Sequence, residues 1–143
     1  MCVFSTWTTP QDCAVILNDI ATYEEYNPNG YVIGIDWYPY ESDANRVANY
    51  WYQNSSWDID MIATFIAEAS FNKDAVWKAW ERGICQLLPN RTNNKWINDE
   101  RWSDIMFQAE VCLDKWKVVP KPSKIWYWRN KREKYKQQIY YFE

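Results

Sequence analysis

The sequence predicts an all-α domain, or an α domain with a minimal β element, in a chain of 143 residues. Apolar residues recur at steps of three and four in several segments, which is the spacing of one helix face. One short segment is rich in β-forming residues, and the whole chain contains three glycines. A chain of this length buries an adequate core, so we expect residues 1–143 to form a single domain.

The first half of the chain predicts three helices and one extended segment. Residues 10–26 begin with a Thr-Pro start signal and show helical spacing until NPNG interrupts them. The segment YVIGIDWYPY is short and β-rich, so we expect a strand or an extended connection that leads to Ser42. Ser42 is expected to cap a second helix that ends at about Asn54. Asp58 is expected to cap a third helix that ends near Ser70.

The second half predicts a weak helical segment followed by a longer helix. Residues 75–82 are expected to form one or two helical turns, which Gly83 stops. A further helix is expected to begin at Ser103 or Asp104 and to end at about Trp116.

Residues 120–143 are predicted to form a basic helix that packs on the rest of the domain. The residues of its packing face follow steps of three and four: Ile125, Trp128, Arg132, Tyr135, Ile139 and Phe142. From Lys115 onward the chain has nine Lys or Arg and two Glu, whereas the preceding part has seven basic and seventeen acidic residues. The basic face is therefore either simply solvated or in contact with an anionic polymer or a partner.

The absence of histidine restricts the chemistry that this chain can perform. Ser-His-Asp and Cys-His nucleophilic sites and His-based zinc sites cannot form, and we expect no metal site and no cofactor. No glycine-rich phosphate loop is present, which argues against a nucleotide enzyme. Carboxylates are therefore the first candidates for catalysis.

The four cysteines are scattered along the chain, at Cys2, Cys13, Cys85 and Cys112. No C-x-x-C pair occurs, so a zinc knuckle or a thioredoxin-type motif is not supported. Burial as small apolar residues is the preferred interpretation of these cysteines. One or two disulfides are the alternative.

The N-terminal stretch MCVFSTWTTPQDC lacks the basic region and the apolar core of a secretory signal. No apolar run is long enough to cross a bilayer, so we expect no membrane span. An extracytoplasmic substrate would then be reached through a holin, in a virus particle or by a separate secretion system.

Glu68 is the candidate catalytic acid. It lies in the last turn of an otherwise apolar helix, where the negative end of the helix dipole and burial both raise the pKa of a carboxyl group. A carboxyl that keeps its proton near neutral pH is what the acid-catalysed cleavage of a glycosidic bond requires. The alternative is a solvated cap or a salt-bridge partner.

The sequence EASFNKDAV, followed by RGICQLLPNRT, resembles the signature of the soluble lytic transglycosylase and goose-type lysozyme superfamily. That signature runs Glu-Ser-x-Phe-Asn-Pro-x-Ala and then Gly-Leu-Met-Gln-Leu-Met-Pro. The residues that fall in register without a gap are Glu68, Phe71, Asn72, Ala75, Gly83, Gln86, Leu87, Pro89 and Thr92. Glu68 and Gln86 are 18 positions apart, which is the usual separation in this family.

The resemblance implies a lysozyme-like helical domain around a long glycan groove. Glu68 would protonate the glycosidic oxygen between N-acetylmuramic acid and N-acetylglucosamine, and Gln86 would line the cleft near the cleaved bond. Further substrate-binding candidates are Ser70, Trp77 and Tyr127.

Three further residues would hold the substrate-contacting residues in place without contacting the substrate: Phe71, Asn72 and Gly83. The ring of Phe71 would pack beside the helix of the catalytic acid, and the amide of Asn72 would hold the following loop. Without this resemblance, the Gln86 side chain would be expected only to satisfy a backbone group.

This chain departs from the family pattern at two places. Trp77 stands where the family has a Ser, and KAWE replaces the Gly-rich turn, so we expect a bulkier cleft roof near the acid. The family's C-terminal Tyr, which precedes Asn and Gly, is absent, and Tyr127 and Tyr135 are the substitutes. Four tryptophans are either sugar-stacking platforms or core residues: Trp77, Trp80, Trp96 and Trp102.

A second carboxylate would decide which reaction occurs. In a transglycosylase of this family one Glu suffices, because the sugar's own hydroxyl attacks, whereas a hydrolase needs a group that positions water. The conceivable second carboxylates are Glu81, Asp99 and Asp104.

The expected function is therefore that of a lytic transglycosylase or lysozyme that acts on the bacterial cell wall. The expected setting is a phage endolysin or a virion-associated protein, with peptidoglycan and other virion or tail proteins as partners. The alternative is a catalytically inert virion or tail protein that has the same fold and binds glycan. A third hypothesis makes Trp126, Tyr127 and Trp128 stacking groups for nucleic acid, and the acidic body argues against it.

Overall fold

The fold is helical, with one two-stranded sheet, which confirms the predicted fold class. The computed structural model describes residues 9–34, 42–78, 80–87, 96–118 and 126–142. Its elements are α1 (Pro10–Tyr26), β1 (Tyr31–Gly34), α2 (Asp43–Asn54), α3 (Ile59–Ala69), a 3-10 helix (Glu100–Ser103), α4 (Ile105–Val118), α5 (Trp126–Lys136) and β2 (Ile139–Phe142). Within these ranges, none of the helices is both long enough and apolar enough to traverse a bilayer.

The helices begin at side chains that accept hydrogen bonds from free backbone N–H groups. Thr9 and Asp12 form a reciprocal capping box at the start of α1, with both donor–acceptor distances at 3.1 Å. Ser42 caps α2 and Asp58 caps α3, as the sequence predicts. Asp104 accepts a hydrogen bond from the second residue of α4 at 3.0 Å, which agrees with the predicted start of that helix.

The core lies between α2, α3 and α4 and centres on Trp51. This side chain is fully buried, and its indole N–H donates to the carbonyl of Ala109 in α4 at 2.9 Å. Its ring packs on Phe65 and Phe71, with centroid distances of 4.8 and 5.8 Å. Large aromatic rings contribute much of the buried apolar area in a small domain. Trp51 therefore joins α2 to both α3 and α4.

The tail does not form one continuous helix, so the prediction for residues 120–143 is wrong beyond Lys136. Residues 139–142, IYYF, form β2, which pairs in parallel with β1 so that Ile139 lies opposite Tyr31. The Tyr23 hydroxyl and the Tyr31 N–H both donate to the carbonyl of Gln138. A strand partner and β-forming side chains therefore outweigh the helical spacing of this segment. Residues 120–125 lie outside the described ranges.

The helical part of the tail packs against α3, as predicted. The ammonium of Lys136 lies 2.9 Å from the carboxylate of Asp60, and Arg132 lies 4.0 Å from the same carboxylate. Ile139 is buried in the main core. The tail therefore contributes to the core of the domain.

Residues 75–78 and 80–82 are not helical, so the prediction of helical turns in this segment is wrong. The segment folds back on itself, and isolated antiparallel bridges join Val76 to Arg82 and Arg82 to Leu87. Trp80 has a positive φ of 65°, which a right-handed helix does not permit. The bridges satisfy backbone groups that a helix would otherwise pair.

Three cysteines in the described residues, Cys13, Cys85 and Cys112, are buried but are not free thiols, so the preferred interpretation is wrong for them. Cys85 and Cys112 form a disulfide across 27 positions of sequence, and Cys13 is also disulfide-bonded. The alternative of one or two disulfides is the correct one. The Cys85–Cys112 bond ties the segment after Gly83 to α4.

Asn45 provides a test of how β1 is attached to α2. Its side chain is buried, and its carbonyl oxygen accepts the N–H of Val32 at 3.0 Å. Asn45→Ala leaves that buried N–H without an acceptor, so the free energy of unfolding in urea should fall by about 1 to 3 kcal/mol. Asn54→Ala is the control, since the exposed Asn54 amide donates to a helix carbonyl, and its effect should stay within about 0.5 kcal/mol. Equal effects of the two substitutions would contradict this role of Asn45.

Candidate active site

Glu68 lies in the last turn of α3, and its side chain is partly buried. The helix ends one residue later, at Ala69, because its C-cap Ser70 adopts a left-handed conformation with φ 49° and donates its N–H to the carbonyl of Ile66. Phe71 follows with φ 60° and enters the core. The chain therefore turns sharply just after Glu68, and it leaves the carboxyl at the edge of the core.

Burial raises the pKa of the Glu68 carboxyl above its ordinary value, as the sequence predicts. The next contribution in size is the charge of Glu81, which repels the ionised form and also raises the pKa. Lys131 in α5 acts in the opposite direction and lowers the pKa. The pKa of Glu68 is raised on balance, and the charges that act on it come from two other segments of the chain.

Of the three candidate second carboxylates, Glu81 is the one whose charge acts on Glu68. Asp99 pairs with Arg101 at 2.9 Å, and hydrogen bonds from Arg101 lower the pKa of Asp99 to about 2. Asp104 serves as the cap of α4. Within the described ranges, no three His, Cys, Asp or Glu side chains come together as potential metal ligands.

Glu81 belongs to a short turn that exposes two tryptophans. The carbonyl of Glu81 accepts the N–H of Trp77 at 3.1 Å, and the carbonyl of Trp77 accepts the N–H of Trp80 at 2.9 Å. The side chains of Trp77 and Trp80 are 50% and 65% exposed. By contrast, Trp96 and Trp102 pack against the core. Two of the four tryptophan candidates are therefore free to contact a ligand.

Gln86 closes the loop that follows this turn. Its amide nitrogen donates to the carbonyls of Gly83 and Ala75, at 2.7 and 3.3 Å. Its amide oxygen is buried, and no donor in the described part of the chain reaches it. The amide nitrogen of Gln86 therefore has the backbone-satisfying role that the sequence left open, and the amide oxygen has no partner among the described residues.

Gly83 is required by its surroundings. Its φ is +80°, and a Cβ at this position would lie 2.5 Å from the ring of Trp102. The carboxamide oxygen of Gln108 accepts the N–H of Ile84 at 3.0 Å, and its nitrogen donates to the carbonyls of Lys73 and Trp102. Gln108 was missed by the sequence reasoning, although a glutamine on the apolar side of a predicted helix was a visible signal.

The other predicted site residues occupy varied positions. Ser70 is exposed. Asn72 is exposed too, and its carbonyl oxygen accepts the N–H of Asp74 at 3.0 Å, so it stabilises the loop as expected. Phe71 is buried against Tyr31, with a centroid distance of 5.0 Å. Tyr127 lies in the first turn of α5, and its side chain is outside the described part of the structure.

Comparisons with known proteins identify no relative of this chain. No protein-family model, curated protein or solved structure matches it. The function is therefore inferred from the residues of the site.

Replacing Glu68 by Gln should stabilise the fold at neutral pH. Because the pKa of Glu68 in the folded state lies above the ordinary value of 4.5, stability is lost as pH rises from 4.5 through the raised pKa. The Gln side chain of the variant does not ionise, so the variant does not lose stability in this way. The gain in Tm of Glu68→Gln over the wild type should therefore increase between about pH 4 and about pH 7.

Glu25→Gln is the matched control, since Glu25 is exposed in α1. Because this side chain is exposed, its Tm difference from the wild type should vary less with pH than that of Glu68→Gln. If Glu68→Gln shows no more pH dependence than Glu25→Gln, the raised pKa of Glu68 is refuted.

Proposed function

We propose that this chain is a peptidoglycan-degrading glycosidase that cleaves the β-1,4 bonds between N-acetylmuramic acid and N-acetylglucosamine. The observation that carries the proposal is the partly buried Glu68 carboxyl, whose pKa is raised by burial and by the charge of Glu81. The resemblance of residues 68–92 to the lytic transglycosylase and goose-type lysozyme signature supports the same assignment.

Glu68 acts first as an acid and then as a base. In its protonated form it donates a proton to the glycosidic oxygen as the bond to that oxygen breaks. The leaving sugar then departs as a neutral alcohol. The resulting Glu68 carboxylate removes a proton from the group that attacks the remaining sugar.

The proximity of Glu81 favours hydrolysis over transglycosylation. A hydrolase needs a group that positions the attacking water, and a second carboxylate near the acid can supply it. Burial makes Glu68 the acid, and Glu81 orients the water that attacks the sugar. If the sugar's own hydroxyl attacks instead, Glu81 has no such role and an anhydro sugar is released.

The disulfides support a protein that works outside a reducing cytoplasm. The site of action is the bacterial cell wall, which the protein reaches as a phage endolysin or as part of a virion. Peptidoglycan strands are its partners, and other virion or tail proteins are further partners in the second case.

A second candidate function is glycan binding without cleavage, as an inert virion or tail protein. The observation that favours it is the exposure of Trp77 and Trp80, because a binding surface needs aromatic platforms but no acid. The glycosidase requires the Glu68 carboxyl for cleavage, whereas the binding protein does not require it.

Release of soluble muropeptides from purified sacculi separates the two candidates. The wild-type chain should release them, and Glu68→Gln should lower the rate by about 100-fold or more. Binding of the inactive variant to sacculi should persist, because the neutral amide keeps the shape of the side chain. No release by the wild type at any pH, together with tight binding, would favour the binding protein.

Mass spectrometry of the released products tests the role of Glu81. Hydrolysis adds one water to the product, whereas an anhydro sugar lacks it. Glu81→Gln should suppress the hydrated product, and Glu100→Gln, at an exposed position of the 3-10 helix, should leave it unchanged. Anhydro products from the wild type would assign the chain to the transglycosylases.

The pH profile of cleavage tests which groups control the proton on Glu68. Lys131 lowers the pKa of Glu68, so Lys131→Met should extend activity to higher pH. Lys134→Met is the control, because it removes the same charge from an exposed position of the same helix. An unchanged alkaline limb in Lys131→Met would show that Glu68 does not supply the proton.

A further inference from the structure

Arg82 carries a charge that has no acceptor in the described part of the protein. Its Nε is buried, and no hydrogen-bond acceptor in those residues reaches it. Its guanidinium lies 5.6 Å from the centre of the Trp80 ring. A buried N–H without an acceptor is uncommon, and it indicates that a ligand or water completes the site.

Other described arginines differ from Arg82 because each lies beside a carboxylate. Arg46 lies 3.3 Å from the carboxylate of Asp43, and Arg101 lies 2.9 Å from that of Asp99. The Nε of Arg132 is also buried without a hydrogen-bond acceptor in the described residues, but it lies 4.0 Å from the carboxylate of Asp60. Each of these cations contacts an anion within the chain. The missing carboxylate at Arg82 is therefore a specific feature of the turn.

The turn beside Arg82 exposes apolar surface. Val76 and Trp77 are each 50% exposed and Trp80 is 65% exposed, although all three lie within five positions of the chain. Clustered apolar side chains at the surface of a small domain commonly mark a binding site. An indole offers a flat apolar face to a sugar ring, and its N–H remains available for a hydrogen bond.

The loop also holds an orphan acceptor. The amide oxygen of Gln86 is buried without a donor, as the Nε of Arg82 is buried without an acceptor. Backbone hydrogen bonds of 2.8 and 2.9 Å join Arg82 to Leu87, next to Gln86. One loop therefore presents an unsatisfied donor and an unsatisfied acceptor beside exposed indoles.

Arg82 directly follows Glu81, which is one of the two carboxylates of the candidate site. Glu81, its neighbour in sequence, raises the pKa of Glu68, whereas Arg82 is not among the charges that shift that pKa. A polymeric substrate extends over several sugar units, so a group beside the acid contacts a unit next to the cleaved bond.

We propose that Trp80 and Arg82 form a subsite for a carboxylate-bearing muramyl unit. Trp80 stacks on the apolar face of the sugar, and Arg82 binds the carboxylate through charge-assisted hydrogen bonds from its planar guanidinium. The carboxylate belongs either to the lactyl group or to the attached peptide. This subsite rests on the proposed function, and it explains how peptidoglycan would be distinguished from a neutral N-acetylglucosamine polymer.

Binding of three defined sugars to the full chain tests the subsite. N-acetylglucosamine carries no carboxylate, N-acetylmuramic acid carries a free lactyl carboxylate, and muramyl dipeptide carries its carboxylate on the peptide. The indole N–H resonance of Trp80 follows each titration by NMR. We expect an anionic probe to bind roughly 10-fold tighter than N-acetylglucosamine. The anionic probe that gains the affinity identifies the source of the carboxylate.

Arg82→Gln should remove this preference while leaving the weak binding of N-acetylglucosamine. Trp80→Leu should weaken the binding of all three sugars, followed on backbone resonances of the turn. Arg101→Gln is the matched control, since Arg101 also contacts an aromatic ring, 4.5 Å from the centre of Phe107, but is paired with Asp99. If Arg82→Gln does not fold, Arg82→Lys carries the test and should reduce the preference, because a single ammonium cannot reproduce the planar pair of donors.

The subsite is refuted if the wild type binds all three sugars equally, or if Arg82→Gln keeps the wild-type ratio of affinities. These outcomes are separate from a failure of the proposed function. A wild type that prefers the anionic sugars but releases nothing from sacculi would overturn the glycosidase and leave the subsite standing. A wild type that cleaves sacculi without any such preference would overturn the subsite alone.

Discussion

The side chain of Gln108 is the contact on which the geometry of the site depends. It is buried in α4 and bonds to backbone groups of Lys73, Ile84 and Trp102, at distances of 2.6 to 3.0 Å. The Cys85–Cys112 disulfide adds a covalent link to the same helix. A loop in which Gln86 has a positive φ would otherwise have little local reason to keep its shape. The anchors to α4 hold the turn with Glu81 and Arg82 in its observed shape.

The helices were predictable because their signals are local. Ser42, Asp58 and Asp104 each bond to a backbone N–H two or three residues ahead, and such bonds depend on a few neighbouring residues. The errors fall where distant partners decide the conformation. Residues 139–142 have helical spacing, but they become a strand because β1 offers a partner more than a hundred positions away. The Cys85–Cys112 pairing is likewise a contact between segments that no local pattern reveals.

The residues of the site also differ in whether local sequence or distant contacts determine their roles. Glu68 was identifiable from its place at the end of an apolar helix and from the residues that follow it. Glu81 could only be named as one of three candidates, because its effect on Glu68 requires the fold-back of the turn. Arg82 gave no signal in the sequence at all, since an arginine becomes informative only when the structure shows that its carboxylate partner is missing. Sequence therefore indicates the reacting group, and the structure indicates what surrounds it.

The basic tail is part of the same electrostatic arrangement. Pairing of β2 with β1 fixes the end of the chain, and the contacts of Lys136 and Arg132 with Asp60 hold α5 against α3. This packing places Lys131 where its charge opposes that of Glu81 at Glu68. A neighbouring cation lowers the pH at which a carboxyl loses its proton, and a neighbouring anion raises that pH. The position of α5 therefore tunes the acid, and the tail acts on the site through the fold as well as through any partner that it binds.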